Sequence, residues 1–169
     1  MQKNEKETAF SEIYSGYKDR IYRICYGYIY EKEQVDDLFQ EIMINIWNSL
    51  ERFRGDSTIG TWVYKVAVNT ALLYNKKNKF YGKLNFSVPE TTIDVETDDS
   101  KIREEKLGML AQCISRLEKN DRIIISLILE ELTYEQVSEI TGITAGNVGV
   151  KVNRIKKKLF NMLKELNYE

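Results

Sequence analysis

The sequence predicts an all-α protein of two small helical domains joined by a flexible acidic linker. Three observations predict it. Apolar residues recur at spacings of three and four through most of the 169 residues, with no strand pattern and no internal repeat. The stretch 80–106 holds the single proline, Pro89, with a run of Thr, Asp and Glu, and sustains no period until about Ile102. After it, a short capped helix, a glycine turn and a longer basic helix follow one another, the pattern of a helix-turn-helix.

The first helix is read from Phe10 to Tyr28. Phe10, Ile13, Tyr14, Tyr17, Ile21, Ile24, Cys25 and Tyr28 form one stripe. Tyr22, Tyr26 and Tyr30 form a second, assigned to core or domain packing. A second helix runs from Glu33 to Leu50, with Val35, Leu38, Phe39, Ile42, Ile46 and Leu50 on its apolar face. Asp36 and Asp37 are expected in its first turn, where the helix dipole favours carboxylates. The loop from Phe53 to Gly60 carries two glycines. Thr61 is the expected cap of a third helix, Trp62 to about Lys79, which puts Trp62, Val66, Asn69 and Leu73 on neighbouring turns.

Beyond the linker, Leu107, Leu110, Ile114 and Leu117 form one stripe, and Asp121 to Leu129 reads as a very apolar helix. Thr133 caps the next helix, and Gln136 completes a capping box. That helix packs Val137 and Ile140 inward and stops at Gly142, which supplies a left-handed exit. Ile143 returns to the core. The last helix runs from Ala145 to Leu163, with Val148, Val152, Ile155, Leu159 and Leu163 inside.

Composition excludes several kinds of chemistry. There is no histidine, so a histidine triad or base is impossible. The two cysteines, Cys25 and Cys113, sit apart in helical apolar patterns and read as small buried hydrophobes, not as a zinc site or a disulfide. No cofactor, metal or catalytic residue is expected. Residues 1–8 are polar and mixed in charge, and no apolar run approaches the roughly 18–20 residues of a membrane span. The expectation is a soluble, cytoplasmic protein without membrane insertion.

The formal net charge of −1 hides a pattern. Residues 84–106 carry 3 basic and 7 acidic side chains, whereas the flanks carry 13 against 11 and 9 against 8. Lys76, Lys77, Lys79 and Lys83 bunch in the first flank; Lys151, Arg154, Lys156, Lys157 and Lys158 bunch in the second. Such bunching suits a DNA-facing surface, although a charge run is more often solvated surface.

Three constellations follow. On the last helix, Asn147, Lys151, Asn153, Arg154 and Lys158 project away from the apolar stripe, where Asn and Arg can read base edges and Lys can neutralise phosphate. The bland reading is a helical hairpin with a solvated outer face. The second is Asp36, Asp37, Gln40 and Glu41, followed by Trp47. It is an ordinary amphipathic helix except that Ile42, Met43, Ile44, Ile46 and Trp47 are too many apolar residues for one face. The third is Phe53, Arg54, Trp62, Tyr64, Lys65, Asn69 and Tyr74: aromatics among Lys and Asn suit unstacked single-stranded bases. Its bland reading is Trp62 in the core and Lys65 on the surface.

Phe53 to Ser57 (FRGDS), followed by Thr61 to Asn69 (TWVYKVAVN), resembles region 2 of the sigma-70 family of RNA polymerase sigma factors, in its extracytoplasmic-function (ECF) group. Asp36 to Glu41 (DDLFQE) resembles that family's polymerase-binding segment. Leu132 to Ile140 (LTYEQVSEI), then Gly146, Asn147 and Val148, then Arg154 to Leu159, resembles region 4. The likeness covers residues 8–79 and 107–163. It implies a region 2 domain over 8–79, a linker over 80–106 and a region 4 domain over 107–166.

The resemblance also implies roles. Asp36, Asp37, Gln40 and Glu41 would meet the clamp helices of the largest subunit of core RNA polymerase. Phe53, Arg54, Trp62 and Asn69 would read the −10 element, with one base flipped near Asn69, while Lys65, Lys76, Lys77 and Lys79 hold the backbone. Asn147, Lys151, Asn153, Arg154 and Lys158 would read the −35 element, and the apolar surface of that domain would meet the polymerase flap. The linker would thread toward the RNA exit path. The implied partners are core polymerase, promoter DNA and an anti-sigma factor, as is common in the family.

The chain departs from the pattern in places. Primary sigma factors carry two adjacent tryptophans at the melting edge; here the second position is Val63. Gly149 and Val150 stand where the recognition helix is usually polar or basic. The middle domain of primary sigmas has no room in this length. From residues alone, a stand-alone helix-turn-helix regulator that never touches polymerase and an all-helical interaction protein stay open.

Overall fold

A computed structural model of the chain describes residues 3–29, 32–77 and 98–167. Among them are seven α-helices, one 3-10 turn and no strand. The helices are α1 (Lys3–Tyr28), α2 (Lys32–Ser49), α3 (Ile59–Lys77), α4 (Asp98–Ser115), α5 (Lys119–Leu129), α6 (Tyr134–Thr141) and α7 (Ala145–Asn167). Tyr30, Lys79, Lys83 and Pro89, and the first part of the expected linker up to residue 97, lie outside the described residues. From Asp98 the chain is already helical, ahead of the return expected at Ile102.

The periodic stripes fold inward. Ile21, Ile24, Val35, Leu38, Ile42, Ile46 and Val63 are wholly or almost wholly shielded from solvent where α1, α2 and α3 meet. Ile124, Leu127, Val137, Val148, Val152 and Ile155 do the same among α5, α6 and α7. Burying such side chains is the main force holding each group together. Of the crowded apolar set on α2, Ile42, Met43 and Ile46 are buried. Trp47 lies under the Phe10 ring at 5.3 Å and the Lys6 ammonium at 4.7 Å, so Ile44 alone of the five is exposed.

Several local expectations shift. α2 starts at Lys32, which puts Glu33 in the first turn and Asp36 and Asp37 in the second. α3 starts at Ile59, and its cap is Thr58, whose Oγ1 accepts from the Thr61 backbone N–H at 3.2 Å. Thr61 is buried in the first turn instead, its hydroxyl 2.9 Å from that of Thr58. Leu107 points to solvent, and α4 is anchored by Cys113, with Leu117 buried just beyond its end. The α6 capping box is complete: Gln136 N–H donates to Thr133 Oγ1 at 3.2 Å, and Thr133 N–H to Gln136 Oε1 at 2.9 Å. Gly142, at φ 76°, ends the helix in the left-handed region. Just upstream, Glu131 adopts φ 65°, uncommon for a residue with a Cβ, in the turn that sends Leu132 into the core.

The two helix groups also pack against each other, α1 on α5 and α3 on α6. Glu130, only 7% exposed, accepts from two nitrogens of Arg23, Nε at 2.6 Å and Nη2 at 2.8 Å. Arg20 adds a contact at 3.6 Å and donates to the Tyr64 hydroxyl at 3.3 Å. Gly27 permits the close approach of α1 and α5, since a Cβ there would lie 2.5 Å from Ser126 Oγ.

Candidate functional site

The α2 surface divides its acidic residues. Tyr22 donates a hydrogen bond to Asp36, which pins that carboxylate to α1. The same bond, with burial second, pushes the Tyr22 phenol well above its ordinary range. Asp37 and Gln40, one turn apart, are exposed, and Ile44 is exposed a turn beyond Gln40. Glu41 is half-buried. This face therefore offers a carboxylate, an amide and an aliphatic patch in a row, a combination suited to a basic partner with an apolar edge.

Along α3 a different row forms. The rings of Phe53 and Trp62 stack at 5.2 Å, tilted by 47°, and both are half-buried. Arg54 is exposed beside Gly55, whose φ of 76° turns the loop. Lys65 and Asn69 are exposed one turn apart, followed by Leu72 and Leu73. The buried face of α3 is the opposite one: Val63, Tyr64, Ala67, Val68 and Ala71. Asn69 neither caps nor packs within its helix; it lines a cleft of about 240 Å³ between α3, α5 and the end of α6, shared with Asn120, Ile140, Thr141 and Ile143. Its neighbour Thr70 is the residue used internally, accepting from Asn45 Nδ2 at 3.0 Å. Lys76 and Lys77 belong to the last turn of α3, and their side chains lie outside the described residues.

On α7, Asn147, Asn153, Arg154 and Lys157 are exposed, together with Val150. Lys151 and Lys158 are arranged differently. Both lean back over Asp121 in the first turn of α5, at 3.9 and 3.4 Å. Asp121 is only 7% exposed, so two ammonium groups compensate a nearly buried carboxylate. The sequence bunches these lysines with Arg154 and Lys157, whereas the fold turns them aside. Lys157, named in the basic bunch but not among the residues assigned to the −35 contact, stands on the outward face.

A three-helix unit with a half-buried ring pair and an exposed lysine and amide, followed by a capped helix-turn-helix, has the architecture of a helical DNA-binding protein. The description "Sigma-70 region 2" matches residues 13–80, and "Sigma-70, region 4" matches residues 107–159. The chain belongs to the sigma-70 family of sigma factors, in its ECF group. It is 28% identical to the ECF RNA polymerase sigma-E factor of Haemophilus influenzae, over 98% of this chain and 93% of that one. It is 26% identical to the ECF sigma factor SigW of Bacillus subtilis, over 97% and 94%. The fold resembles that of the sigma factor RpoE of Bartonella quintana, solved with the anti-sigma factor NepR: TM-score 0.75, 18% identity, 92% of this chain and 97% of that one. It also resembles CnrH, solved with the cytosolic domain of CnrY: TM-score 0.70, 16% identity, 94% and 90%.

No group of three or more potential metal-ligating side chains occurs among the described residues. No helix there is long and apolar enough to cross a membrane. Cys25 and Cys113 are free and buried, and burial pushes the Cys25 thiol up to about 12.

Proposed function

We propose that this chain is a cytoplasmic initiation factor that binds core RNA polymerase, reads −10 and −35 promoter elements and helps separate the strands, catalysing no reaction itself. Residues 8–79 form the polymerase-binding and −10 unit, 107–166 the −35 unit, and 80–106 the connection between them. Asp37, Gln40 and Glu41 dock on the polymerase clamp helices, with Asp36 held in place by Tyr22. Phe53, Arg54, Trp62, Lys65 and Asn69 engage the −10 strand, and Lys76 and Lys77 its phosphates. Asn147, Asn153 and Arg154 enter the −35 groove, with Lys151 and Lys158 at its edge. The −35 unit also meets the polymerase flap, and an anti-sigma factor is a further partner.

The observation that carries this reading is the α3 row. Exposed Asn69 sits a turn beyond Lys65 and two turns beyond the Phe53–Trp62 ring pair, leaving an amide, a cation and a π surface on one edge of the helix. An amide both donates and accepts, as reading a base edge requires. Holding a flipped base must return the few kcal/mol that flipping costs. A stand-alone helix-turn-helix regulator needs neither this row nor the α2 face.

The first test is transcription in vitro from genomic fragments with core polymerase, with and without this protein. Promoter-specific transcripts are expected only with it, and their absence rejects the reading. The second is Asn69→Ala. Duplex and polymerase binding should survive, while open-complex formation, followed by permanganate reactivity of unpaired thymines, should fall sharply. Normal melting by the folded variant would remove the flipped-base role.

A further inference from the structure

The −35 reading rests on a helix two of whose cations, Lys151 and Lys158, are paired with Asp121. With Lys151 and Lys158 turned toward Asp121, the face of α7 opposite its buried stripe is defined by Gly146, Val150, Asn153 and Lys157, with Arg154 and Asn147 on one flank. Val150 is the centre of that face. It is 56% exposed, whereas Val148 and Val152, the other valines of the helix, are completely buried.

The surroundings of Val150 clear a path to it. A Cβ at Gly146, one turn earlier, would touch nothing, so that position carries no bulk that could hold a base edge away. At Gly149 a Cβ would lie 3.3 Å from the Tyr134 ring, so the ring occupies the space a side chain there would need. Two glycines and a displaced polar set thus leave a branched aliphatic group as the foremost feature of a helix flanked by Asn and Arg. An exposed valine gains nothing from water, but in a major groove it meets one apolar complement, the 5-methyl group of thymine.

We propose that Val150 is a specificity-determining residue of the −35 contact and reads the methyl group of one thymine in the major groove, with Asn147 and Arg154 fixing its position along the helix. The inference rests on the sigma-factor reading and adds the base class to it. Lys157 lies two turns from Val150 and supplies phosphate neutralisation at the groove edge.

The experiment uses holoenzyme assembled from the full chain and core polymerase. A random-sequence duplex library is selected on it, and a recovered duplex is remade with each upstream thymine replaced singly by deoxyuridine, which lacks only the methyl group. One position is expected to lose affinity by about fourfold, the worth of one buried methyl group. Val150→Ala should abolish that loss while leaving the melting temperature of the protein unchanged. Val150→Asn, offered the same library, should exchange thymine for adenine at that position, because an amide pairs with the adenine edge. If deoxyuridine is tolerated everywhere, if the loss persists in Val150→Ala, or if Val150→Asn still selects thymine, the assignment of Val150 is wrong although the sigma-factor reading stands. If holoenzyme selects no sequence beyond what core polymerase retains alone, both fail together.

Discussion

The α1–α3 group and the α4–α7 group present the faces proposed for DNA in opposite ways. The α7 face, from Asn147 to Lys157, looks outward, while Asn69 on α3 looks into the cleft against Ile140, Thr141 and Ile143. In this packed arrangement the second group keeps the α7 face proposed for the −35 groove accessible, whereas the first has part of the row proposed for the −10 strand beside a neighbour. The polar contacts that join the groups do not come from either row. They come from Arg20, Arg23 and Tyr64 around Glu130, and the close approach of α1 to α5 comes from Gly27 against Ser126. The Glu130 cluster and the Gly27–Ser126 approach can therefore be altered without touching the residues proposed for nucleic acid, whereas the α3–α6 contact brings Asn69 beside Ile140 and Ile143.

The largest effect is expected at the Glu130 cluster, which joins the two groups. Arg23→Ala strands a carboxylate that is 7% exposed, leaving only Arg20 at 3.6 Å; Glu130→Ala instead frees an arginine whose side chain is 60% exposed. We expect Arg23→Ala to cost about 2 kcal/mol and Glu130→Ala about half that, because a buried unpaired charge costs more than a hydrated one. Urea unfolding of both variants and of the double variant measures it. Equal losses would mean that the pair is not effectively buried.

A smaller effect is expected at the two capped helices. Thr58→Ala should cost about 1 kcal/mol, as should Thr133→Ala, since each removes the acceptor for an N3 backbone donor. If Thr58→Ala is silent in thermal unfolding, α3 does not depend on that cap.

On α7 the two kinds of lysine should differ in DNA binding. Lys157→Ala is expected to reduce the salt dependence of promoter binding by about one unit of slope. Lys151→Ala should reduce it less, because its ammonium shares Asp121 with Lys158. The reverse order would show that the Asp121 contacts yield completely to phosphate.

The mildest effect is alkaline. Cys25 has its thiol raised from 9.0 to about 12 by burial, so the unfolded chain releases that proton first as pH rises. Its contribution to stability is complete below about pH 9 and is lost progressively from there toward 12. Melting temperatures across that window should fall less in Cys25→Ala, and iodoacetamide should label native Cys25 slowly at pH 8.

What could be read beforehand follows the range of the interactions. The α6 cap was legible because Thr133 and Gln136 close it within four residues, and Gly142 marks its end without outside help. The start of α3 was not. Ser57, Thr58 and Thr61 all offer hydroxyls, and only burial of Thr61 against the rest of the fold leaves Thr58 as the cap. Likewise the spacing of Lys151 and Lys158 gives no hint of Asp121, which lies 30 and 37 positions away in the chain. Asn69 was legible as a polar residue on a turn, but its placement beside Ile140 and Ile143 depends on packing between the groups.

Where α1 crosses α5, the history open to the chain is constrained. Position 27 has no space for a methyl group while Ser126 keeps its present orientation. Alanine at 27 would force the hydroxyl to rotate, and a branched residue would wedge the helices apart. If Ser126 is first replaced by glycine, the same alanine meets open space. Alanine at 27 therefore asks only for a turn of the Ser126 hydroxyl, and nothing once Ser126 is glycine, whereas a larger residue there ties together two sites 99 residues apart in the chain.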